Sequence, residues 1–303
     1  MKRREFLKAG VGLGAATFAL GPGQVLDSLK TSQEKLTDIV VAKNGSPAAL
    51  VQNAIKSLGG MSQFVTKGDV VVVKPNIGWD RTPQQAANTN PEVVAETIRL
   101  CYEAGAKKVK VFDRTCNDAR RCYKRSGIEE AVKEAGGEIR HIVEARFTKI
   151  DIPQGKVLKS WEFYKDVLEC DVLINIPVAK HHSLTRVSLG VKNIMGVIGG
   201  DRGEIHNGID QKLADLCTIL QPHLTVLDAT RILVANGPQG GSLGDVRQTS
   251  TIAAGTDMIT VDAYAATLFQ LKGSDIGYIA RCHEMGLGVM DLEKVNIKEI
   301  DLG

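Results

Sequence analysis

Three residues in one short segment have side chains that could do chemistry: His182, Lys192 and His206. Residues 179–206 contain three of the six histidines in the chain, two lysines, two arginines and five glycines. A neutral imidazole can ligate a transition metal or transfer a proton near pH 7. Lys192 can neutralise a phosphate or carboxylate, or act as a nucleophile if burial lowers its pKa. Arg202 can bind an anion through its planar guanidinium group.

The glycines of this segment predict a backbone that can approach a ligand closely. The alternative is a long glycine-rich hairpin whose cations are solvated. The histidine spacing matches no compact metal motif such as HExxH. We therefore predict a cationic binding loop that holds an anion or a nucleotide-type cofactor, with a divalent transition metal or a metal-nucleotide cofactor as a further candidate.

Short apolar runs alternate with amphipathic stretches along the chain. Strands are predicted at residues 69–74, 108–113, 138–143, 171–177, 224–229 and 249–255, with a short strand at the C terminus. Helices are predicted at residues 91–105, 128–137, 208–220, 258–271 and 276–286. This alternation predicts an α/β fold: a mostly parallel sheet covered by helices on both faces, with the glycine-rich cationic loop over the strand ends.

Ligands of such sheets bind at the carboxyl ends of the strands, so polar residues at these ends are site candidates. Catalytic roles are predicted for His182, Lys180 and Asp228. Cofactor binding is predicted for Lys192, Asn193, Arg202, Asn76, Asp113 and Gly237. Metal ligation is predicted for His206 and His182.

Two further features leave alternatives open. Gly237 lies in the turn NGPQGG, which could hold an anion on its backbone amides or simply connect two strands. Asp257 is predicted to cap a helix. Asp262 follows in apolar surroundings, where a buried carboxylate needs a partner, and it could be structural or part of a site.

Composition and charge exclude several classes of protein. The chain of 303 residues is 43% hydrophobic and 24% charged, which is typical of a globular protein. Its net charge is only +3 and its basic residues are interleaved with acids, so nucleic acid is not expected as a partner. The six cysteines form no CxxC pair and indicate no iron-sulfur cluster. Cys116 and Cys122 could pair as a disulfide or remain free thiols.

Residues 1–28 have the pattern of an export signal. Arg3 and Arg4, followed by an apolar and glycine-rich run, resemble a twin-arginine signal, although Lys2 replaces the usual Ser or Thr. A general secretory signal or an uncleaved anchor is the alternative. The apolar run is too short to span a bilayer as a stable helix, so no transmembrane span is expected in the mature chain. We predict export by the twin-arginine translocation machinery to the periplasm or cell envelope, and one α/β domain over residues 29–303, with two lobes around a cleft as an open possibility.

Several motifs resemble the domain of unknown function family 362, over nearly the whole chain after the signal. The most specific is the Lys-x-His of residues 180–182 followed by LGVKNIMG, and VVVKPNIG and LTVLDATRILVANGPQGG also match. A partial similarity to the nickel-pincer lactate racemase family aligns His182, Lys192 and His206 with a histidine, a cofactor-holding lysine and a nickel-ligating histidine. In two places this chain departs from that family: KPNIG replaces an Asp-x-Thr-Arg element, and FDRTC lacks an expected histidine. The resemblance therefore implies a shared fold with changed chemistry.

Together these features predict an exported, enzyme-like α/β protein that binds an anionic small molecule, with isomerase or oxidoreductase activity as the candidate reactions. The alternative is a periplasmic protein that binds an anion without catalysis, or an accessory protein that helps another exported protein to mature.

Overall fold

The computed structural model describes residues 38–303, so the predicted export signal lies outside the described residues. The strands are β1 Ile39–Lys43, β2 Val70–Pro75, β3 Lys108–Val111, β4 Glu138–Ile139, β5 Phe147–Asp151, β6 Ser160–Tyr164, β7 Val172–Ile176, β8 Val178–His182, β9 Arg186–Ser188, β10 Leu224–Leu233, β11 Val246–Gly255 and β12 Ile297–Asp301. The α-helices are α1 Pro47–Ser57, α2 Pro91–Glu103, α3 Ala119–Arg125, α4 Ile128–Glu134, α5 Lys165–Glu169, α6 Gly190–Asn193, α7 Arg202–Ile205, α8 Ile209–Cys217, α9 Met258–Thr267 and α10 Gly277–Glu284.

One ten-stranded sheet organises the fold. Its strands run in the order β12, β1, β11, β10, β7, β2, β3, β4, and β8 pairs with both β10 and β9. The pairs from β10 through β7, β2 and β3 to β4 are parallel, whereas β11 runs antiparallel to both β1 and β10. The predicted α/β class with a mostly parallel sheet is therefore confirmed.

Helices cover both faces of this sheet because successive side chains of each strand point to opposite sides. In β1, Ile39 and Val41 pack into one hydrophobic core, with helices α8, α9 and α10. Val40 and Ala42 pack into the other core, with helices α1 and α2. None of the helices in residues 38–303 combines the length and the apolar character that a membrane span requires.

Helix α2 shows how local sequence sets element boundaries. It begins at Pro91, where a fixed φ suits the first helical turn, and the Asn90 side chain accepts a hydrogen bond from the Glu92 amide. It is followed by Gly105 with φ of +96°, as predicted. Asp257 likewise caps α9 by accepting from the Ile259 and Thr260 amides, which confirms that prediction.

The structure differs from the sequence predictions in several elements, and strand β1 and helix α1 were not predicted. Only Glu138–Ile139 of the strand predicted at 138–143 pairs with the sheet. The β5–β6 hairpin was not predicted, and it forms a separate two-stranded sheet. The cationic segment 179–206 is folded into β8, β9, α6, a 3₁₀ turn and α7, instead of an open loop.

Candidate functional site

A cleft of about 610 Å³ opens where β2, β3 and β7 end. Eight of the residues predicted from the sequence line it: Asn76, Asp113, Lys180, His182, Lys192, Asn193, Arg202 and His206. The carboxyl ends of parallel strands therefore form a shared site here, as expected for this sheet type.

A buried ion pair forms the floor of the cleft. The Lys74 ammonium lies 2.8 Å from Asp113 Oδ1, and the two side chains are only 2% and 3% exposed. Asp113 Oδ2 also accepts a hydrogen bond from the Ile77 amide at 2.6 Å. Burial lowers the pKa of Lys74, and the Asp113 charge opposes this lowering. Gly196 packs against the pair so closely that a Cβ there would lie 1.6 Å from Asp113 Oδ1.

A chain of amide side chains connects the ion pair to the rest of the site. Lys180 Nζ donates to Asn76 Oδ1 at 3.0 Å, and Asn76 Nδ2 donates to Asn193 Oδ1 at 3.0 Å. Lys74 Nζ also donates to Asn193 Oδ1 at 3.0 Å. Asn193 Nδ2 in turn donates to Asn175 Oδ1 at 2.9 Å. Because buried polar groups need partners, this network fixes two lysines relative to each other.

Lys180 is almost completely buried and tightly held. Its Nζ donates to the Ala87 carbonyl at 2.6 Å as well as to Asn76, and it has no carboxylate partner among residues 38–303. Burial lowers the pKa of Lys180 to about 7, and the charges of Lys192 and Lys74 add to this lowering. Lys180 can therefore be charged or neutral near pH 7.

Lys192 is carried by the short helix α6, whose start is held by Asp262. The Asp262 carboxylate accepts hydrogen bonds from the Gly190 amide at 2.6 Å and the Val191 amide at 2.8 Å. Asp262 is fully buried, and burial raises its pKa to about 7 against the effect of these two bonds. Asp262 is therefore a structural residue that positions the cationic helical turn.

The Lys192 ammonium group has weak partners. Its only hydrogen-bond contact within the described chain is the Met195 Sδ atom at 3.3 Å, and thioether sulfur is a weak acceptor. Burial, together with the nearby Arg202 charge, lowers the pKa of Lys192 to about 8. This side chain is thus a partly buried cation that faces the cleft without a carboxylate.

Two arginines are fixed at the cleft wall by backbone carbonyls. Arg202 donates to the carbonyls of Arg114 at 2.8 Å and Thr115 at 2.9 Å. Arg114 donates to the Gly200 carbonyl at 3.1 Å and pairs with Glu144 at 3.3 Å. These bonds leave Arg202 without an acidic partner among residues 38–303.

The two histidines of the cleft differ in which ring nitrogen carries hydrogen. His182 Nδ1 accepts from the amide of Leu184 at 3.1 Å, so the neutral ring carries its hydrogen on Nε2. Burial, together with the Lys192 and Lys180 charges, lowers the pKa of His182 to about 3. His206 Nδ1 lies 3.1 Å from the Arg202 carbonyl, which can only accept, so its Nε2 lone pair is free. Burial also lowers the pKa of His206.

This difference bears on metal binding. A metal on His182 Nε2 would require the hydrogen to move to Nδ1, which faces backbone donors. His182 therefore does not fit a metal ligand in this arrangement, whereas His206 has the suitable tautomer. Across residues 38–303 no three His, Cys, Asp or Glu side chains are grouped as a metal site would need.

Two predicted site residues lie elsewhere. Asp228 does not line the cleft: its carboxylate accepts from the Asn90 amide at 2.7 Å and the Thr230 hydroxyl at 2.7 Å. It lies within β10, because that strand continues to Leu233 instead of ending near residue 229. Gly237 does not line the cleft either, although Pro238 does. Its amide donates to His181 Nδ1, so it packs the turn against β8.

Sequence reasoning missed other residues of the lining. Among them are Lys74, Trp79, Cys116, Ser188 and Met195. Lys74 was assigned only to the strand VVVVK, and a lysine that ends a buried apolar run was the available signal. Cys116 is exposed, Cys122 is buried, and both are free thiols.

Comparisons with known proteins give one family match. A model of the family described as domain of unknown function 362 matches residues 71–267. A thylakoid-associated protein of Synechocystis sp. is 28% identical over 251 residues, which cover 80% of this chain and 76% of the relative.

Two solved structures are similar at a lower level. The lactate racemase apoprotein from Thermoanaerobacterium thermosaccharolyticum has a TM-score of 0.44 at 13% identity, over 70% of this chain and 53% of that chain. A Thermotoga maritima protein has a TM-score of 0.43 at 11% identity, over 75% of this chain and 60% of that chain. The chain thus spans less than two thirds of the length of either structure.

Proposed function

This protein belongs to the domain of unknown function 362 family, and from its own site we propose that it is an enzyme that binds a small anionic molecule through Lys192. The supporting observation is the excess of positive charge in the cleft. Lys74, Lys180, Lys192, Arg114 and Arg202 all line it, whereas Asp113 is the one acidic side chain of the described lining. Asp113 is already paired with Lys74.

An anion would supply the acceptor that Lys192 lacks. Removing a cation from water is costly unless a counter-charge or hydrogen-bond acceptor replaces the water. Within residues 38–303 the Lys192 ammonium has only a thioether as hydrogen-bond acceptor, and the neighbouring Arg202 charge disfavours its protonated form. A bound carboxylate or phosphate would supply the missing acceptor and offset the repulsion between Lys192 and Arg202. Lys192 should therefore contribute much of the free energy of binding.

The side chains beside Lys192 favour catalysis over simple binding. His182 is held neutral with hydrogen on Nε2, so it can donate a hydrogen bond to an oxygen of the ligand without adding charge. Lys180, with a pKa of about 7, can exchange a proton at neutral pH. A site that only bound an anion would need neither property.

The same cations suit the phosphates of a nucleotide-type cofactor. A divalent metal is less well matched, because His182 does not present a free Nε2 lone pair. We therefore propose that the ligand is an anion, and we assign no step of the reaction to a metal.

Isothermal titration calorimetry with pyruvate, lactate, phosphate and adenosine monophosphate tests the proposal. At least one of these anions should bind, and Lys192→Gln should weaken that binding about tenfold to hundredfold, which is the usual value of a charge-assisted hydrogen bond. Lys298→Gln is the matched control, because Lys298 is an exposed lysine of β12 outside the cleft. Equal affinities for the Lys192→Gln variant and the wild type would refute the role of Lys192.

The proposal includes export by the twin-arginine route, supported by Arg3 and Arg4 ahead of an apolar run. Replacing both arginines with lysine should leave the protein in the cytoplasmic fraction of the producing cell. An unchanged distribution after fractionation would exclude this route.

A further inference from the structure

The cleft contains three lysines, and their surroundings differ in a way that separates binding from covalent chemistry. Lys74 is paired with Asp113 and also donates to the Pro75 carbonyl at 2.7 Å and to Asn193. Lys180 donates to two oxygens and is 2% exposed. Neither nitrogen can turn towards a ligand without breaking bonds to oxygen.

Lys192 differs from both, because its Nζ contacts only a sulfur atom among the described residues. A nitrogen attacks a carbonyl carbon through its lone pair, so a nucleophilic amine must be neutral and free of strong partners. Burial and the neighbouring Arg202 charge favour the neutral amine. At a pKa of about 8, Lys192 holds roughly 300-fold more neutral amine at pH 7 than a lysine with the ordinary value of 10.5.

Helix α6 supplies the rigid support that such an amine requires. Asp262 holds the Gly190 and Val191 amides, and Asn175 Nδ2 donates to the Gly190 carbonyl at 3.0 Å. Both contacts are buried and lie within one turn of Lys192. Lys192 is therefore fixed at its backbone while its terminal nitrogen stays available.

We propose that Lys192 forms a Schiff base with a small 2-oxo acid whose carboxylate is bound by the other cations of the cleft. This inference rests on the proposed function and names its substrate class. The neutral Nζ attacks the carbonyl carbon, and a carbon–nitrogen bond forms. The nitrogen loses two hydrogens, the carbonyl oxygen gains two and leaves as water, and a carbon–nitrogen double bond remains.

The oxo acid is favoured by the combination of groups around Lys192. Arg202 is a cation close enough to act on Lys192, as its effect on the pKa of Lys192 shows. His182 Nε2–H can donate to a ligand oxygen. A molecule with a carbonyl group next to a carboxylate uses the amine and the cations together, whereas a plain carboxylate uses only the cations.

Reductive trapping tests the proposal. The purified chain is incubated with pyruvate and cyanoborohydride and then mapped by peptide mass spectrometry. We expect a mass increase at Lys192 equal to pyruvate minus one oxygen, since condensation releases water and reduction adds two hydrogens. Lactate lacks the carbonyl group and should give no adduct, and acetone lacks the charge and should react much more slowly. The peptide containing Lys298 should stay unmodified.

Lys192→Arg separates this proposal from anion binding. Arginine keeps the positive charge, so the variant should bind pyruvate within about tenfold of the wild-type affinity, yet it should give no adduct at position 192. Loss of the trapped adduct together with retained binding supports the Schiff base. Wild-type binding of pyruvate without an adduct, or an adduct at Lys180 or Lys74, would overturn it and leave anion binding intact. Absence of binding by any tested anion would instead count against the proposed function.

Discussion

Replacing Asp113 with asparagine should destabilise the protein, because Lys74 would then be a buried ammonium group without a carboxylate. In the structure the two groups are 2.8 Å apart and 2% and 3% exposed, so water cannot replace the lost partner without opening the cleft floor. The asparagine can keep one contact by accepting from the Ile77 amide, as Asp113 Oδ2 does now. Its amide hydrogens would then point towards Lys74, which needs an acceptor.

The expected loss of stability follows from the burial of this ion pair. Removing one partner of a buried ion pair typically costs 3–5 kcal/mol, so we expect Asp113→Asn to lower the free energy of unfolding by about 4 kcal/mol. That is about a thousandfold in the unfolding equilibrium. Lys74→Met combined with Asp113→Asn removes both charges, and it should recover a large part of the loss.

The loss should also depend on pH in a defined direction. Asp113 raises the pKa of Lys74 against the effect of burial, so the pKa of Lys74 falls further in the variant. As pH rises, the folded variant therefore releases the Lys74 proton before the folded wild type does. Stability rises with pH where the unfolded chain binds more protons than the folded chain. The deficit of the variant should therefore shrink as pH rises above neutrality.

Urea denaturation followed by circular dichroism at several pH values measures these quantities. The single and double variants are compared with wild type at each pH, with equal slopes against urea as the check that the unfolded states match. A loss below about 1 kcal/mol for Asp113→Asn, typical of an exposed pair, would refute the reasoning. So would a deficit that grows with pH, or a double variant no more stable than the single one.

Three more predictions follow from the site. Gly196→Ala should lower the melting temperature in calorimetry, since overpacking costs about 1–3 kcal/mol and its Cβ would lie 1.6 Å from a carboxylate oxygen; Gly244→Ala, whose Cβ has 3.4 Å to its nearest neighbour, should not change it. Anion affinity measured by calorimetric titration should fall as pH rises from 7 to 9, because Lys180 and Lys192, with pKa values of about 7 and 8, lose their charges; a constant affinity would contradict their role. Asp262→Ala should weaken anion binding in the same titration, because two buried amides at the start of the helix that carries Lys192 lose their acceptor; unchanged affinity together with an unchanged melting temperature would contradict this.

The strand-end rule located much of the site because it depends on topology that the sequence pattern reveals. Asn76 and Lys180 were found this way, and both line the cleft. The rule failed at Asp228 because the length of β10, the strand that contains it, depends on pairing with another strand. β10 extends to Leu233 through its antiparallel contact with β11, so the position that resembled a strand end lies inside the sheet.

The burial of Lys74, the partner of Asp113, is a second feature that could not be predicted from the sequence. Lys74 follows four valines, and a lysine in that place is ordinarily expected to reach solvent. By strand alternation it shares a face with Val72, and here that face is covered by Gly196 and Asp113. The segment that contains Gly196 lies more than a hundred residues away in the sequence. The local sequence pattern around Lys74 therefore could not predict that Lys74 is buried.

Three glycines of the cationic segment lie against carboxylate groups of the protein. A Cβ at Gly190 would lie 2.7 Å from an Asp262 oxygen, and a Cβ at Gly199 would lie 2.6 Å from a Glu162 oxygen. A Cβ at Gly196 would likewise lie 1.6 Å from an Asp113 oxygen. In each case the missing side chain lets a carboxylate approach the backbone of the segment. Because close packing restricts the backbone, these glycines help to fix the segment that carries Lys192, and under the proposed function this would position the lysine before a ligand binds.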